Sequence, residues 1–424
     1  MTMHAVRTGS IQATGQQSIV EAPEICDRRT DDDRLLSGSA VRRLTSHEMA
    51  AGLVRQILND STLGPRDYAV LIVQHVLPNT LPLLLEINEK FTICGLIPKP
   101  SSVHKESLQR LRDKGVPILP LNRSQLETAE QVLELIGEQL GSRKLIIMDI
   151  GGYFAKLITS LRRCLGDQLI GVVEDTENGQ QKYEAILAQE GRFPCPVLSV
   201  ARSALKEPED YLTGQSIVFA VERVLRENDE LFNGKTALVL GYGKIGKSIA
   251  TALSAHNISV WVYDSDPIRR VQALAHGFSV HNRSWAIATA DLIFGATGRK
   301  SLGVEDFLSV KRDAFIASVT SADDEFDFGN LNDIMEMQER DSFVCTFYDG
   351  GRLFHVINKG NAVNFTWHFQ SVGSYIFLVA CELAASVMKL VHLSTDLERD
   401  KVIVLSTNEQ REIASNWLNN FGNG

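Results

Sequence analysis

Lys206 and Asp210 stand four residues apart in the segment Ser203-Ala-Leu-Lys-Glu-Pro-Glu-Asp210. An amine and a carboxylate so placed can flank a hydroxyl, one taking its proton while the other orients it. Upstream, His75 closely follows the apolar run from Tyr68 to Val73, and Asp149 follows the run from Lys144 to Met148, just before Ile150-Gly151-Gly152. Asp175 and Thr176 lie beyond a third run, Gln168 to Val173. All these groups sit at or just past the ends of strand-like segments, where open α/β sheets collect ligands. Each also has a plain alternative: a solvated loop charge, a structural histidine, a common Asp-x-Gly-Gly turn. What moves them toward chemistry is a shared order around one cofactor site.

That cofactor site is written between Asn233 and Lys247. A short apolar strand, Ala237 to Leu240, runs into Gly241-x-Gly243-x-x-Gly246, with Lys244 and Ile245 inside the motif and small and apolar residues following at helical spacing. A second strand, Ile258 to Tyr263, ends at Asp264. Gly241 permits a tight turn, Gly243 lets backbone amides approach a pyrophosphate, and Gly246 lets the helix pack on the strand. The pyrophosphate then meets the helix N-terminus, where free amides and the macrodipole favour anions. Asp264 is placed to accept from two ribose hydroxyls and to repel a 2′-phosphate, so the expected cofactor is NAD rather than NADP.

The elements that must position these groups alternate. Strands separated by helices of ten to fifteen residues imply parallel sheets covered on both faces. The fold class is therefore α/β, with two doubly wound, Rossmann-like domains and a cleft between them. Residues 1–40 are polar and read as a mobile arm. Residues 41–212, completed by 372–424, read as a substrate-binding domain, and 213–371 as the NAD-binding Rossmann domain. A helix is expected from Gln215 to Asn228, between the two.

Composition limits the partners. The 424 residues are 44% hydrophobic and carry a net charge of −9, which argues against nucleic acid or an acidic membrane and suits a cytoplasmic surface. Six scattered cysteines offer neither a disulfide framework nor a metal site. The most apolar stretch, Tyr375 to Leu393, is interrupted by Cys381-Glu382, Ser386 and Lys389, and reads as a buried helix rather than a membrane span. It should pack between domains or between subunits of a homo-oligomer, a dimer or tetramer.

From about residue 45 to about 390 the chain resembles the S-adenosylhomocysteine hydrolase family. Gly241-Tyr-Gly-Lys-Ile-Gly-Lys247 is similar to that family's GYGxVGKG, and Asp264-Ser-Asp-Pro-Ile268 to its E-x-D-P-I. Thr297-Gly298 resembles the TTG turn, and Gly360-Asn-Ala-Val-Asn364 the EGRLVN segment. Upstream, Glu174 to Gly179 resembles EETTTG, Ser203 to Asp210 resembles SVTKSKFD, Met148 to Gly152 resembles the DDGG turn, and Gln74-His75 opens what resembles the HMTxET segment. The resemblance implies chemistry in which bound NAD oxidises a ribose 3′-OH, the acidified C4′–H is removed, the 5′ substituent leaves, water adds and the ketone is reduced. It implies Lys206 and Asp210 at the 3′-OH, with Lys206 taking the proton and its pKa lowered accordingly. It implies Asp175 on the ribose hydroxyls, His75 and Asp149 in acid–base work at C4′ and C5′, Asn364 on the nicotinamide carboxamide, and Thr176 and Thr297 at the cofactor.

The departures cluster on the far side of the substrate. Ile150 replaces the second aspartate of DDGG, Leu77 and Asn79 stand where the base is contacted, and Tyr211 follows Asp210 in place of asparagine. Ser321 and Ser371 or Val372 stand where the family has histidines, His368 lies nearby but out of register, and the chain ends at Asn419 to Gly424 without the family's Lys-Tyr tail. Three readings follow. One is a divergent enzyme that oxidises the sugar of another nucleoside-like substrate and then eliminates, hydrates, dehydrates or epimerises it. The others are an authentic S-adenosylhomocysteine hydrolase and a non-catalytic NAD-binding regulator.

Overall fold

The computed structural model of the chain describes residues 46–59, 67–320, 325–365 and 372–422. The arm expected over residues 1–40 lies outside them, as do Ser321, His368 and Ser371.

Five parallel strands form the first sheet, in the order β2 (Thr92–Val103), β1 (Tyr68–Val76), β3 (Lys144–Asp149), β4 (Leu169–Glu174), β5 (Val197–Ser199). Near-continuous apolar runs such as Leu145 to Met148 suit strands buried on both faces. Ile136, Ile147, Phe154 and Tyr183 pack on one face. On the other, Val70, Ile72, Ile146 and Val173 pack with Leu383, Ala384 and Val387 of the helix Ile376–Leu393. That helix is long and apolar enough to cross a bilayer, and the structure buries most of it in this core instead. Beyond it, Ile403 donates to the Val197 carbonyl at 2.9 Å and its own carbonyl accepts from Ser199 at 2.8 Å, so the C-terminal segment closes the β5 edge.

The second sheet has eight strands, in the order β11 (Glu336–Glu339), β12 (Val344–Tyr348), β13 (Leu353–Ile357), β10 (Ala314–Ser318), β9 (Leu292–Gly295), β6 (Thr236–Leu240), β7 (Ser259–Tyr263), β8 (Ser279–Val280). The strands from β13 to β8 run parallel, but β12 pairs antiparallel with both β11 and β13. The parallel sheet is as expected, and β11 and β12 add an antiparallel edge to it. Asp349-Gly350-Gly351-Arg352 turns the chain straight back from β12, whereas a parallel crossover needs a dozen or more residues. The Asp349 carboxylate accepts from the amides of Gly351 and Arg352 at 3.1 and 2.8 Å and holds that turn.

The helix before the fingerprint also departs from expectation. It spans Glu207–Glu227 and so begins eight residues earlier than expected. Pro208 is tolerated in a first helical turn, and Glu207, Glu209 and Asp210 favour the positive end of the helix dipole. Lys206 is thereby its N-cap and Asp210 a first-turn residue, rather than loop charges.

Candidate active site

The fingerprint turn is built as its glycines require. Gly241 adopts φ +97°, a conformation that an L side chain resists, and a Cβ at Gly246 would lie 2.0 Å from the Gly241 carbonyl oxygen. The helix Lys244–Ala255 starts directly after Gly243, and the first amides of a helix, here those of Lys244, Ile245 and Gly246, have no partner inside it. Asp264 is buried at the end of β7, its carboxylate accepting from the amides of Tyr242 at 2.7 Å and Asp266 at 2.9 Å. Arg269 stands 3.5 Å from that carboxylate. Asn364 is buried on the short turn Val363–Phe365, and its Oδ1 has no hydrogen-bond partner. A cradle closed to side chains, a buried ribose acid and an orphaned amide oxygen all fit a dinucleotide. Arg269 adds a test: with Asp264→Ser the arginine faces the ribose unopposed, so preference should swing toward NADP by about tenfold or more, about 1.4 kcal/mol. Cofactor titrations of both proteins check this, and equal affinity of the unaltered protein for NAD and NADP would contradict it.

Next to this turn lies a buried charge cluster. Lys206 Nζ is 2.5 Å from Asp175 and 2.9 Å from Glu209. Lys244 reaches out of the fingerprint to Asp210 at 3.4 Å and to the Ala201 carbonyl at 3.2 Å. Burial pulls the Lys206 pKa down, but Asp175, Glu209 and Asp210 together outweigh it and hold the amine above the ordinary lysine value. The expectation of a lowered lysine is therefore overturned: at rest Lys206 is an ammonium. Burial raises Asp210 to about 6, against the pull of Lys206 and Lys244. A carboxylate of this cluster, not Lys206, is the resting proton acceptor.

His75 stacks on Phe365 with ring centroids 4.8 Å apart, and its Nδ1 is within hydrogen-bonding distance of the Ser102 hydroxyl. Burial, then Lys99 and Lys206, push it down to about 3, so it is a neutral imidazole and a weak base. Contacts also tie the two sheets together beside this site. Asn178 donates to the Gly298 carbonyl at 2.6 Å, and Arg299 donates to Gln181 at 2.5 Å.

Other expected site residues are spent on structure. The Asp149 carboxylate accepts from the amides of Tyr153 and Phe154 at 3.1 and 3.0 Å and from the Tyr183 hydroxyl at 2.7 Å, and it is almost fully buried. It closes the loop that follows the Gly151-Gly152 turn, whose own amides go to Glu174, so its carboxylate is occupied by structure where acid–base work was expected. Thr176 caps the helix Glu177–Glu190: its hydroxyl donates to Glu174 at 2.7 Å and accepts from the amides of Gly151 and Gly179. Thr297 likewise donates its hydroxyl to the buried Glu325 at 2.8 Å. Both threonines shape the walls: the Thr176 hydroxyl is fully used, while that of Thr297 accepts only from the Arg299 amide, at 3.1 Å. Leu77 is buried, and Tyr211 points to solvent at 49% exposure, so neither is brought to the cluster as a substrate contact. Asn79 keeps a buried Oδ1 without a partner, as a ligand-facing amide would. For Asp149→Ala, three buried donors lose their acceptor at about 1–3 kcal/mol each. Denaturant unfolding should show a loss of about 3 kcal/mol or more, and an unchanged midpoint with abolished turnover would restore the chemical role.

The family signature "S-adenosyl-L-homocysteine hydrolase, NAD binding domain" matches residues 210–368. The chain is 29% identical over 285 residues to S-inosyl-L-homocysteine hydrolase of Methanococcus maripaludis, a match spanning 66% of each chain. It is 28% identical over 329 residues to adenosylhomocysteinase of Thermoplasma acidophilum, covering 76% of this chain and 78% of that one. Residues 210–368 thus match the NAD-binding domain of the S-adenosyl-L-homocysteine hydrolase family, and the chain is similar to adenosylhomocysteinases over about two thirds or more of its length. Its cofactor is NAD. Among solved structures, a phosphoglycerate oxidoreductase from Vibrio Cholerae o395 aligns over 76% of this chain and 99% of its own at 15% identity, with a TM-score of 0.44.

Two charged groups of the site were not legible in the sequence. Glu209 is three residues from Lys206, and that spacing signals a shared helix face only once the helix is known to start at Glu207. Lys99 lies over the Tyr153 ring at 4.9 Å and acts electrostatically on His75, but nothing in Pro98-Lys99-Pro100 announces it.

Proposed function

We propose that this chain is an NAD-dependent enzyme that transiently oxidises a sugar hydroxyl, the 3′-OH, of a nucleoside-like substrate and then eliminates, hydrates, dehydrates or epimerises it. When bound, NAD supplies a hydride acceptor and later returns the hydride. The observation that carries the reading is the burial of Lys206 among Asp175, Glu209 and Asp210, joined to the fingerprint through Lys244. A regulator with no chemistry to perform gains nothing from a desolvated cluster of one ammonium and three carboxylates, which burial makes costly to keep.

In this reading the Lys206 ammonium donates to the sugar oxygen and stabilises negative charge as the hydroxyl proton leaves for a carboxylate of the cluster. Asp175 and Glu209 fix its direction, because an ammonium held by two short ion pairs has one donor left to point. His75, neutral, stacked on Phe365 and held at Nδ1 by Ser102, keeps Nε2 to orient the sugar. Gly241, Gly243, Ile245, Gly246 and Asp264 hold the cofactor, and Asn364 fixes the carboxamide. The first sheet with its C-terminal segment binds the substrate and the second sheet the cofactor. A homo-oligomer is the proposed assembly.

The relatives' names point to nucleosyl homocysteines of more than one base, and Asn79, with its buried unpartnered amide oxygen, stands where the base would be contacted. The substrate class is therefore left at a nucleoside-like thioether or its analogue. The test is to add a panel of adenosine, inosine and other nucleosides, with and without a 5′-thioether, and follow reduced-nicotinamide absorbance in a single turnover. At least one should reduce the cofactor. A fully NAD-loaded protein that responds to none contradicts the reading.

A further inference from the structure

The turn after β3 is made by Gly151 and Gly152, both at positive φ, +81° and +64°. Three cations from three separate elements gather on it. Arg123 and Lys182 both donate to the Gly151 carbonyl, at 3.3 and 2.8 Å. A Cβ at Gly151 would lie 3.6 Å from Lys99 Nζ. Lys99 also stands over the Tyr153 ring at 4.9 Å, and the Arg123 guanidinium is 5.9 Å from the same centroid. Like charges this close repel one another, and an anion seated among them relieves that repulsion. The acids beneath the turn aim their oxygens elsewhere. Glu174 accepts from the amides of Gly151 and Gly152 at 3.0 and 3.1 Å, and Asp149 from those of Tyr153 and Phe154 at 3.1 and 3.0 Å. Lys99 acts electrostatically on His75, so the cluster faces the His75 side of the site. It lies by the carboxyl ends of the first sheet's strands, where such sheets collect ligands.

We propose that Lys99, Arg123 and Lys182 form a subsite for an oxyanion, a carboxylate or a phosphate, carried on the 5′ arm of the substrate. This narrows the substrate class and rests on the proposed nucleoside reading. With the sugar oriented by His75, an arm leaving C5′ on that side runs toward Gly151. A positive-φ glycine pair adds no side chain to the approach, so the arm meets the cations directly. Arg123 offers a planar fork and the two lysines offer point charges, a set that takes either oxyanion. A homocysteine arm ends in a carboxylate and an ammonium on one carbon. Its ammonium would enter the field of three cations, and Ile150 brings no carboxylate to receive it. The arm selected is therefore an oxyanion without an amine beside it. The three residues set specificity and make or break no bond.

The experiment measures binding, so it stands apart from the oxidation. NAD-loaded protein is titrated by calorimetry with adenosines, and the matching inosines, that differ only at C5′: methylthio, homocysteinyl, 3-carboxypropylthio and phosphate. The carboxypropylthio or the phosphate compound should bind about tenfold or more tightly than the methylthio one, the scale of a charge-assisted hydrogen bond. The leading arm identifies carboxylate or phosphate, and the homocysteinyl compound should gain less than that arm. Lys99→Gln and Lys182→Gln should each cut the preference about tenfold, and added salt should erode it. Equal affinity for the neutral arm and both oxyanion arms overturns the subsite, while nicotinamide reduction by any of them leaves sugar oxidation standing. A homocysteinyl compound that binds as tightly as the carboxypropylthio one overturns the selection against the amine. A preference unchanged in both variants overturns the assignment of the cations. Binding of none of the compounds overturns the nucleoside reading and the subsite with it. If neither variant folds, the affinity order in the unaltered protein decides.

Discussion

Replacing Lys206 with Met should lower nicotinamide reduction by about 10²–10⁴-fold, the range for a lost proton-transfer partner, while NAD binding stays within a factor of a few. Methionine keeps most of the volume of the lysine stem, so packing survives, but the cation that Asp175 and Glu209 grip at 2.5 and 2.9 Å is gone. Nothing then stabilises charge on the sugar oxygen. Asp210, which burial already raises to about 6, also loses the counter-charge of Lys206 and holds a proton more strongly. The fingerprint does not include Lys206, so calorimetric NAD affinity separates lost chemistry from lost cofactor. Lys206→Arg should not rescue, because a planar guanidinium cannot reproduce a point charge among these three acids. Reduction at the unaltered rate in Lys206→Met would remove the cluster from the mechanism.

The largest structural effect should come from Gly246→Ala. The added Cβ would fall 2.0 Å from the Gly241 carbonyl oxygen and 3.0 Å from its carbon, both backbone atoms that cannot swing aside. The helix Lys244–Ala255 must move off the strand, at an overpacking cost of about 1–3 kcal/mol, and its N-terminal amides leave the pyrophosphate. NAD affinity should fall by about a hundredfold or more, since about 2.7 kcal/mol of the anion's contacts goes with those amides. Gly243→Ala is the internal comparison. Its Cβ meets only the flexible Arg269 guanidinium at 3.6 Å, so unfolding should be unaltered and only the cofactor's approach impaired. Equal stability and NAD affinity in Gly246→Ala and the unaltered protein would contradict the packing account.

What the sequence made legible was local. The glycine spacing, the strand before it and Asp264 after it are set by short-range geometry, and they fold as written. The Lys206–Asp210 pair was legible as well, but its electrostatics were not: three carboxylates converge on one amine from the end of β4 and from the first helical turn, and together they reverse the expected pKa. Asp149 misled because the residue type that does acid–base work also closes the loop after a glycine turn. What separates the two roles is Tyr183, from a helix folded against it, whose hydroxyl donates to the carboxylate at 2.7 Å. Lys99, Arg123 and Lys182 were not legible as a cluster, because they come from three separate elements and meet only at Gly151. The antiparallel edge was within reach, since Asp349-Gly350-Gly351 is a hairpin signal.

The central claim is that the sugar itself is oxidised and restored within one turnover. A nucleoside substrate carrying deuterium on C3′, found through the absorbance panel, tests it most directly when the protein is quenched in mid-turnover and the cofactor and sugar are weighed by mass spectrometry. The account predicts one deuterium on the reduced nicotinamide at quench, slower appearance of its absorbance than with unlabelled substrate, and the same deuterium back on C3′ of the final product. Product formed with deuterium never leaving C3′ and none on the cofactor would contradict it.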